Sequence, residues 1–188
     1  YPSAPILTYV TNEEKPTLER NTIDFFQNHS TLRTGGFPNS SYPISSKLKA
    51  MSVAAQEFNF DYLILLDSDT LLVDRFGSFL QTAPPADVYM KAVDLSGWED
   101  RSKWEEITSK TEYNLPNSRI VSTVDKRRIF PFYNAGVVVS TSTTFPNDWL
   151  ELTLSVYNIS ESRFSDQVAL GLLTQEYDSV ELSELENY

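Results

Sequence analysis

The 188-residue chain contains no cysteine and a single histidine, His29. Without cysteine it has no disulfide, no thiolate metal ligand and no cysteine nucleophile. No stretch reaches the roughly 18 consecutive apolar residues that a membrane helix needs. We therefore expect no transmembrane segment in this chain.

Basic residues are also scarce relative to acidic ones. Fifteen Lys and Arg residues oppose 26 Asp and Glu residues, which gives a formal net charge of −11. Proteins that bind nucleic acids contact phosphates through basic side chains, so this balance argues against a nucleic-acid partner. An acidic surface is compatible with a site that requires a cation, although it is common on protein surfaces in general.

The composition that remains is that of a packed domain. Hydrophobic residues make up 40% of the chain and aromatic residues 13%, and no low-complexity tract or internal repeat is visible. A chain of this length fits one domain, so we expect a single domain over residues 1–188. Because it begins with Tyr1 rather than Met, we expect it to be either an excised domain or a trimmed chain from which an upstream segment has been removed.

Apolar strand-like and amphipathic helix-like segments alternate along the chain. This alternation predicts an α/β fold, a Rossmann-like, mostly parallel mixed sheet flanked by helices. The segment 30–42, rich in Gly, Pro and Ser, is predicted to be a loop. Thr11 or Asn12 should cap the first helix, and Ser45 or Ser46 the second. The predicted strands cover residues 6–10, 62–66, 86–93, 119–124, 136–140 and 179–182, and the later helices residues 97–110, 148–157 and 165–173.

Two carboxylates follow the most hydrophobic of these strands. Residues 62–66 read YLILL, and Asp67-Ser68-Asp69 comes directly after them. A continuous apolar run is typical of a parallel strand that is covered on both faces. Ligands of α/β sheets bind beyond the carboxyl ends of the strands, so this position places Asp67 and Asp69 at the binding edge.

Carboxylates at D-x-D spacing can face one hard cation. Mg²⁺ and Mn²⁺ prefer oxygen ligands and keep coordination positions open for phosphate oxygens, so an ion held there would neutralise a diphosphate leaving group. The simpler alternative is a polar turn that ends the strand. We favour the metal site because Leu71-Leu72-Val73 continues with apolar residues, which is unusual beside an exposed turn.

Phosphatases of the haloacid dehalogenase type also have an apolar strand that ends in D-x-D, followed by x-T or x-V. Here Thr70 comes one residue too early and Leu71 occupies the Thr or Val position. Those enzymes place the motif near the start of the domain, whereas here it follows a strand and two helices. The phosphatase hypothesis is therefore disfavoured.

Other motifs surround the D-x-D in a recognisable order. Together they resemble the GT-A glycosyltransferases, most closely the retaining family (family 8-like) that includes glycogenin and the bacterial lipopolysaccharide galactosyltransferases. The resemblance extends over residues 6–182. The matching segments are Tyr9-Val10-Thr11-Asn12, Ser46-Lys47-Leu48, Asp67-Ser68-Asp69, Phe132-Tyr133-Asn134-Ala135-Gly136-Val137 and Ser165-Asp166-Gln167.

The resemblance implies a metal-dependent transfer of a sugar from a nucleotide sugar, a UDP-sugar above all, to a glycan or other hydroxyl acceptor with retention. It also implies a GT-A fold and Mn²⁺ or Mg²⁺ as the cofactor. The implied roles are metal binding by Asp67 and Asp69, nucleotide binding by Thr8, Tyr9, Val10, Thr11, Asn12 and Ser68, sugar binding by Lys47, Asn134, Ala135 and Gly136, and catalysis by Asp166 and Gln167.

Most of these residues also have an ordinary structural interpretation. Asn134 carries an amide that can donate to and accept from sugar hydroxyls. Gly136 can admit a ligand close to the backbone or simply form a turn. Asp166 can contact a sugar or cap a helix, where the dipole favours a carboxylate. Lys47 can face a diphosphate or lie on a helix surface, and Tyr9 can stack on uracil or pack in the core.

The chain departs from the family pattern in two places. The family's third metal ligand is a histidine in a C-terminal H-x-x-G-x-x-K-P-W-like segment, and His29 lies in no such motif. Arg163 stands where the family has an acidic residue, three positions before Asp166. We therefore expect the C-terminal metal- and diphosphate-binding segment to be missing. A second hypothesis follows, a nucleotide-sugar-binding module that lacks turnover and belongs to a larger multidomain protein.

Overall fold

The computed structural model describes residues 4–70, 82–95 and 100–182. Within these ranges the strands are β1 (Leu7–Thr11), β2 (Thr31–Gly35), β3 (Leu63–Leu66), β4 (Val88–Ala92), β5 (Ile120–Val121), β6 (Arg128–Ile129), β7 (Tyr133–Ser140) and β8 (Ser179–Glu181). The helices are α1 (Arg20–His29), α2 (Ser45–Glu57), α3 (Arg101–Ser109), α4 (Phe145–Ser160) and α5 (Ser165–Leu173), and a 3₁₀ turn covers Lys15–Thr17. The predicted segments 71–73 and 97–99 lie outside the described residues.

The central sheet has the strand order β3-β7-β4-β8. β7 runs antiparallel to both β3 and β4, while β8 runs parallel to β4. β1 and β2 form a separate parallel pair, and β5 and β6 form a short antiparallel hairpin. The α/β class is confirmed, but the sheet is mixed rather than mostly parallel because its longest strand opposes both neighbours.

The strand before the D-x-D motif differs from its prediction. β3 pairs antiparallel with β7, and Ile64 and Leu66 are each 38% exposed, while Leu65 is buried against Leu48 and Met51 of α2. The prediction of a parallel strand covered on both faces is therefore wrong. A hydrophobic run shows that a strand is favoured, but the direction of its partner depends on residues far away in the sequence.

The predicted loop 30–42 contains β2. This strand pairs residue by residue with β1, from Leu7 with Thr31 to Thr11 with Gly35. A Cβ built on Gly35 would lie 2.3 Å from the hydroxyl oxygen of Tyr9, which donates to the Gly36 carbonyl at 3.0 Å. Gly35 therefore marks a close approach of a side chain to the strand rather than a loop.

The starts of two helices also differ from prediction. Thr11 is the last residue of β1, and α1 begins only after Glu19. Ser45 and Ser46 lie inside the first turn of α2, where their hydroxyls donate to the carbonyls of Tyr42 and Pro43. The predicted capping by these serines is therefore wrong, because their hydroxyls donate to preceding carbonyls and accept from none of the free N–H groups of the first turn.

The core lies between the central sheet and the helices. α4 packs on α2 and α5, and α5 packs on β7. Trp104, Phe145 and Trp149 are fully buried there. None of the helices in the described ranges is long and apolar enough to cross a membrane.

Candidate active site

The ammonium group of Lys47 joins three separate parts of the chain. Its Nζ lies 3.2 Å from Oδ1 of Asp67, 3.3 Å from Oδ2 of Asp166 and 3.0 Å from the carbonyl oxygen of Ala135. Oδ2 of Asp67 lies 3.4 Å from the same Nζ, so an ammonium with three N–H donors has four oxygen neighbours. One cation thus lies between two carboxylates that are 99 residues apart in the chain.

Regular elements hold each member of this cluster. Lys47 lies in the first turn of α2, which is fixed in the core by Leu48 and Met51. Asp67 follows β3, and its backbone N–H donates to the Gly136 carbonyl of β7 at 2.8 Å. The antiparallel pairing of β3 with β7, which the sequence pattern missed, therefore brings the D-x-D motif beside the Asn134–Gly136 segment.

Asp166 is the second residue of α5, and its side chain does not cap the helix. The N-cap position belongs to Phe164. The Asp166 side chain is only 3% exposed and points to Lys47, while its backbone carbonyl accepts a hydrogen bond from Trp149 Nε1 at 2.9 Å. Its place in the first turn still favours a carboxylate through the helix dipole. The capping interpretation is thus excluded, which leaves Asp166 committed to the cluster.

Tyr42 is part of this arrangement and was not predicted from the sequence. Its hydroxyl donates to Oδ1 of Asp166 at 3.1 Å and accepts from the Asp166 backbone N–H at 3.2 Å. The Tyr42 ring is buried and stacks on Tyr157 with the centroids 4.5 Å apart. Burial, and then the negative charge of Asp166, raises the pKa of Tyr42 above its ordinary value, so the hydroxyl stays a neutral donor.

Nothing local in the sequence marks Tyr42 as a site residue. It precedes Lys47 by five residues, in a stretch with the composition of a loop. Its partner Asp166 lies 124 residues further on. Tertiary packing brings the two together: α2, which follows Tyr42, packs on α4, and α4 packs on α5, which carries Asp166.

Asn134, Ala135 and Gly136 come together with the motif, as the sequence predicts. The side-chain oxygen of Asn134 accepts from the Gly136 backbone N–H at 2.7 Å. A Cβ on Gly136 would lie 3.0 Å from this oxygen and 3.2 Å from Oδ2 of Asp67. Glycine is favoured here because two polar side chains closely approach the backbone, and not because of a left-handed φ.

Asp67 to Thr70 form a turn beyond β3. The Thr70 N–H donates to the Asp67 carbonyl at 3.0 Å, and Ser68 and Asp69 at the tip are exposed. The Asp67 side chain is 35% exposed, so Lys47 does not close it off from a ligand. Two carboxylates accessible on one turn are a suitable donor set for a hard divalent ion that keeps other positions open.

The described residues contain no group of three or more His, Cys, Asp or Glu side chains that could hold a metal. The turn beyond β3 carries two carboxylates, those of Asp67 and Asp69. In type these donors fit Mg²⁺ or Mn²⁺, and a phosphate ligand and water would complete the coordination.

The remaining candidates lie on two elements. Thr8 to Thr11 belong to β1, whose neighbour α2 carries Lys47. Thr11 is buried, and its hydroxyl donates to the Glu14 carboxylate at 2.7 Å and accepts from the Glu14 N–H at 3.1 Å. Asn12 is exposed, and its N–H donates to the Gly35 carbonyl. Gln167 is half-buried beside Asp166 in the first turn of α5.

An α/β fold with this polar cluster at the edge of its sheet is compatible with the glycosyltransferase class. The comparison with known families gives that class directly, because the family described as Rhodobacterales glycosyltransferase domain matches residues 9–178, about nine-tenths of the chain. The chain belongs to this family and is a glycosyltransferase domain, with a sugar donor and an acceptor as its partners. No curated protein and no solved structure gives a significant match.

Proposed function

We propose that the chain transfers a sugar from a nucleotide sugar, a UDP-sugar, to a hydroxyl acceptor, with retention and with Mn²⁺ or Mg²⁺ held by Asp67 and Asp69. The observation that supports this most is the convergence of Lys47, Asp67 and Asp166 on one point at the edge of the sheet. The GT-A fold and the kinship with the glycogenin-like family belong to the same proposal.

Each charged residue has a role in this proposal. The divalent ion supplies neutralisation of the diphosphate as it becomes the leaving group. Lys47 fixes the carboxylates of Asp67 and Asp166 relative to each other and keeps a positive charge beside the phosphates. A preorganised set of charges of this kind stabilises a transition state without reorganisation during the reaction.

Asp166 and Asn134 would lie on the sugar side. The Asp166 carboxylate is held by Lys47 and Tyr42, so its orientation is fixed before a substrate arrives. A carboxylate so placed can accept from sugar hydroxyls or stabilise positive charge that develops at the anomeric carbon. Asn134, Ala135 and Gly136 would line the same space, with Gln167 beside Asp166, while Thr8–Asn12 and Ser68 would contact the nucleotide.

Binding of UDP tests the metal and nucleotide parts of the proposal. Calorimetric titration should show UDP binding in Mn²⁺ and at least tenfold weaker binding in EDTA. Asp67→Ala and Asp69→Ala should weaken binding by a similar factor, whereas Asp24→Ala, which removes an exposed carboxylate on α1, should not. Absence of UDP binding in Mn²⁺, together with Asp67→Ala behaving like wild type, would overturn the proposal.

A turnover assay distinguishes two hypotheses, a glycosyltransferase and a nucleotide-sugar-binding module that lacks turnover. Incubation with UDP-sugars and Mn²⁺ should release UDP by transfer or slow hydrolysis, and NMR of the product should show retention at the anomeric carbon. Asp166→Asn should remove this release while UDP binding persists. Tight metal-dependent UDP binding with no release from any donor would instead favour a nucleotide-sugar-binding module that lacks turnover.

A further inference from the structure

Four arginines surround one surface cleft that has no role in the proposed transfer. Arg101 comes from the start of α3, Arg119 precedes β5, Arg127 precedes β6 and Arg128 is its first residue. The cleft has a volume of about 440 Å³, and Ile129 and Phe130 complete its lining. All four arginine side chains are on exposed residues, so they can meet a ligand from solution.

The cleft is a basic region of an acidic protein. Residues 100–128 contain seven Lys and Arg against five Asp and Glu, a net charge of +2 in a chain of net charge −11. Arg101 pairs with Glu105 at 2.6 Å, one helical turn away. A lining of four guanidinium groups beside that carboxylate is electropositive and attracts anions.

The positive charges are held close to one another. The guanidinium carbon of Arg119 lies 3.3 Å from the centroid of the Phe130 ring, a cation–π contact that fixes its position. Burial, followed by the positive charges of Arg101 and Arg128, lowers the pKa of Arg119. The positive charges of Arg101 and Arg128 therefore repel that of Arg119, and a bound anion would relieve the repulsion.

Hydrogen bonds make the hairpin that carries Arg127 and Arg128 rigid. The Ser122 N–H donates to the Arg127 carbonyl at 3.0 Å, and the Arg127 N–H donates to the Ser122 hydroxyl oxygen at 2.9 Å. Between them Lys126 adopts a left-handed φ of 54°. The Thr123 N–H donates to the Val93 carbonyl and ties the hairpin to the end of β4. The arginines are thus presented by an ordered turn.

We propose that Arg101, Arg119, Arg127 and Arg128 form a binding site for a phosphate-bearing ligand. Guanidinium groups bind phosphate oxygens through paired N–H donors, and several around one cleft suit a dianionic group better than a carboxylate. The site lies just before Tyr133 at the start of β7, the strand that carries Asn134. It binds its ligand whether or not the proposed sugar transfer is correct, and it requires no metal.

Inorganic pyrophosphate in EDTA is the probe that tests this site, with binding measured by calorimetry at 25 and 200 mM NaCl. EDTA removes any contribution of a divalent ion at Asp67 and Asp69. Arg127→Gln/Arg128→Gln should weaken binding at least tenfold. Lys15→Gln/Arg20→Gln, which removes the same charge from another surface, should change it less than twofold. Arg119→Gln is a second variant, and circular dichroism checks that each variant is folded.

Vesicles distinguish the two sources of such a phosphate. Co-sedimentation with phosphatidylglycerol vesicles but not with phosphatidylcholine vesicles, lost in Arg127→Gln/Arg128→Gln, would identify a lipid headgroup. Binding of pyrophosphate alone would identify a soluble phosphorylated ligand. Absence of binding in both arms would overturn the proposal, as would equal weakening by the Lys15→Gln/Arg20→Gln control.

Discussion

Lys47 shows how one residue can serve both the fold and the chemistry. Its ammonium satisfies Asp166, which is almost fully buried, and Asp67, which is one-third exposed. A buried carboxylate without a partner would be costly, so Lys47 makes Asp166 tolerable in the core. The exposed side of Asp67 remains available for a ligand, and the cluster therefore faces solvent through the D-x-D motif.

Tyr42 should contribute to stability through Asp166. We expect Tyr42→Phe to lower the free energy of unfolding by about 1–3 kcal/mol, because Oδ1 and the backbone N–H of Asp166 both lose their hydroxyl partner in a buried position. Urea unfolding followed by circular dichroism measures this. Tyr157→Phe is the matched control, since it keeps the ring stack and loses only an exposed hydrogen bond to the Ser41 carbonyl. Equal effects of the two changes would contradict a special role for Tyr42.

Gly136 should matter for ligand binding more than for stability. In Gly136→Ala the new methyl would press on the Asn134 oxygen at 3.0 Å and on Asp67 Oδ2 at 3.2 Å, and both side chains would have to move. We expect Mn²⁺-dependent UDP binding to weaken about tenfold, a loss of about 1.4 kcal/mol in binding free energy. The free energy of unfolding should change by less than about 1 kcal/mol. Gly36→Ala is the control because no atom lies within 4 Å of its Cβ position. Wild-type UDP affinity in Gly136→Ala would show that Asp67 tolerates the displacement.

Among the elements, the junction of β4 with the β5–β6 hairpin depends on Asp94. This carboxylate accepts from Thr123 Oγ1 at 2.6 Å and from the buried Lys91 ammonium at 2.9 Å. The Thr123 hydrogen bond, followed by the Lys91 hydrogen bond, lowers the pKa of Asp94 below its model-compound value of 3.8. The stability that Asp94 adds is therefore present above pH 3.8 and is lost as the pH falls through the lower folded-state value.

We expect Asp94→Asn to lower the free energy of unfolding at pH 7 by about 1–2 kcal/mol, a figure reduced for the half-exposed carboxylate. The difference in the free energy of unfolding between wild type and variant should narrow below pH 3.8, as the carboxyl group becomes protonated first in the unfolded state and then, at lower pH, in the folded state. Urea unfolding at pH 7, 5 and 3.5 measures this difference.

Asp24→Asn is the control, because Asp24 forms only an exposed 4.0 Å ion pair with Arg20. It should change the free energy of unfolding by less than about 0.5 kcal/mol at every pH. A pH-independent effect of Asp94→Asn would mean that its ionisation is irrelevant.

Elements with a local signal were predictable from the sequence, and those defined by distant partners were not. α5 was predicted at its observed bounds, because Ser165 opens a run of apolar residues that suits a buried helix. β2 was missed because Gly35 and its polar neighbours look like a loop, although pairing with β1 makes them a strand. β3 was wrongly predicted to be a parallel strand, because its antiparallel pairing is determined by β7, about 70 residues later in the sequence.

The site divides in the same way. Sequence motifs singled out most of the residues that meet at the site, and the structure brings these residues together: Lys47, Asp67, Asn134–Gly136 and Asp166. Their pairing through one ammonium depends on tertiary packing, as does Tyr42. The metal-binding, nucleotide-binding, sugar-binding and catalytic roles of all these residues remain predictions, since the ligand that would test them is a nucleotide sugar.

At the scale of the whole molecule, charge is distributed unevenly. The net charge is −11, whereas residues 100–128 carry +2, so the rest of the chain carries −13. The arginine cleft and the acidic D-x-D turn therefore differ in the sign of their charge. The first attracts anions directly, and the second would attract them only through a bound cation.

This imbalance predicts that added salt stabilises the protein at neutral pH. Repulsion among the excess carboxylates destabilises the folded state, and raising NaCl from 10 to 300 mM screens it, so we expect the midpoint of thermal unfolding at pH 7 to rise by a few degrees. Arg127→Gln/Arg128→Gln takes the net charge from −11 to −13 and should steepen this dependence if the overall repulsion dominates. If instead the local repulsion in the arginine cleft dominates, the double variant should be more stable than wild type at 10 mM NaCl, and its unfolding midpoint should depend less on the NaCl concentration.

Differential scanning calorimetry separates the two outcomes, and glucose at equal osmolality controls for effects other than screening. A midpoint that falls with NaCl in the wild type would show that attractive pairs, such as Arg33 with Glu57, outweigh the net charge.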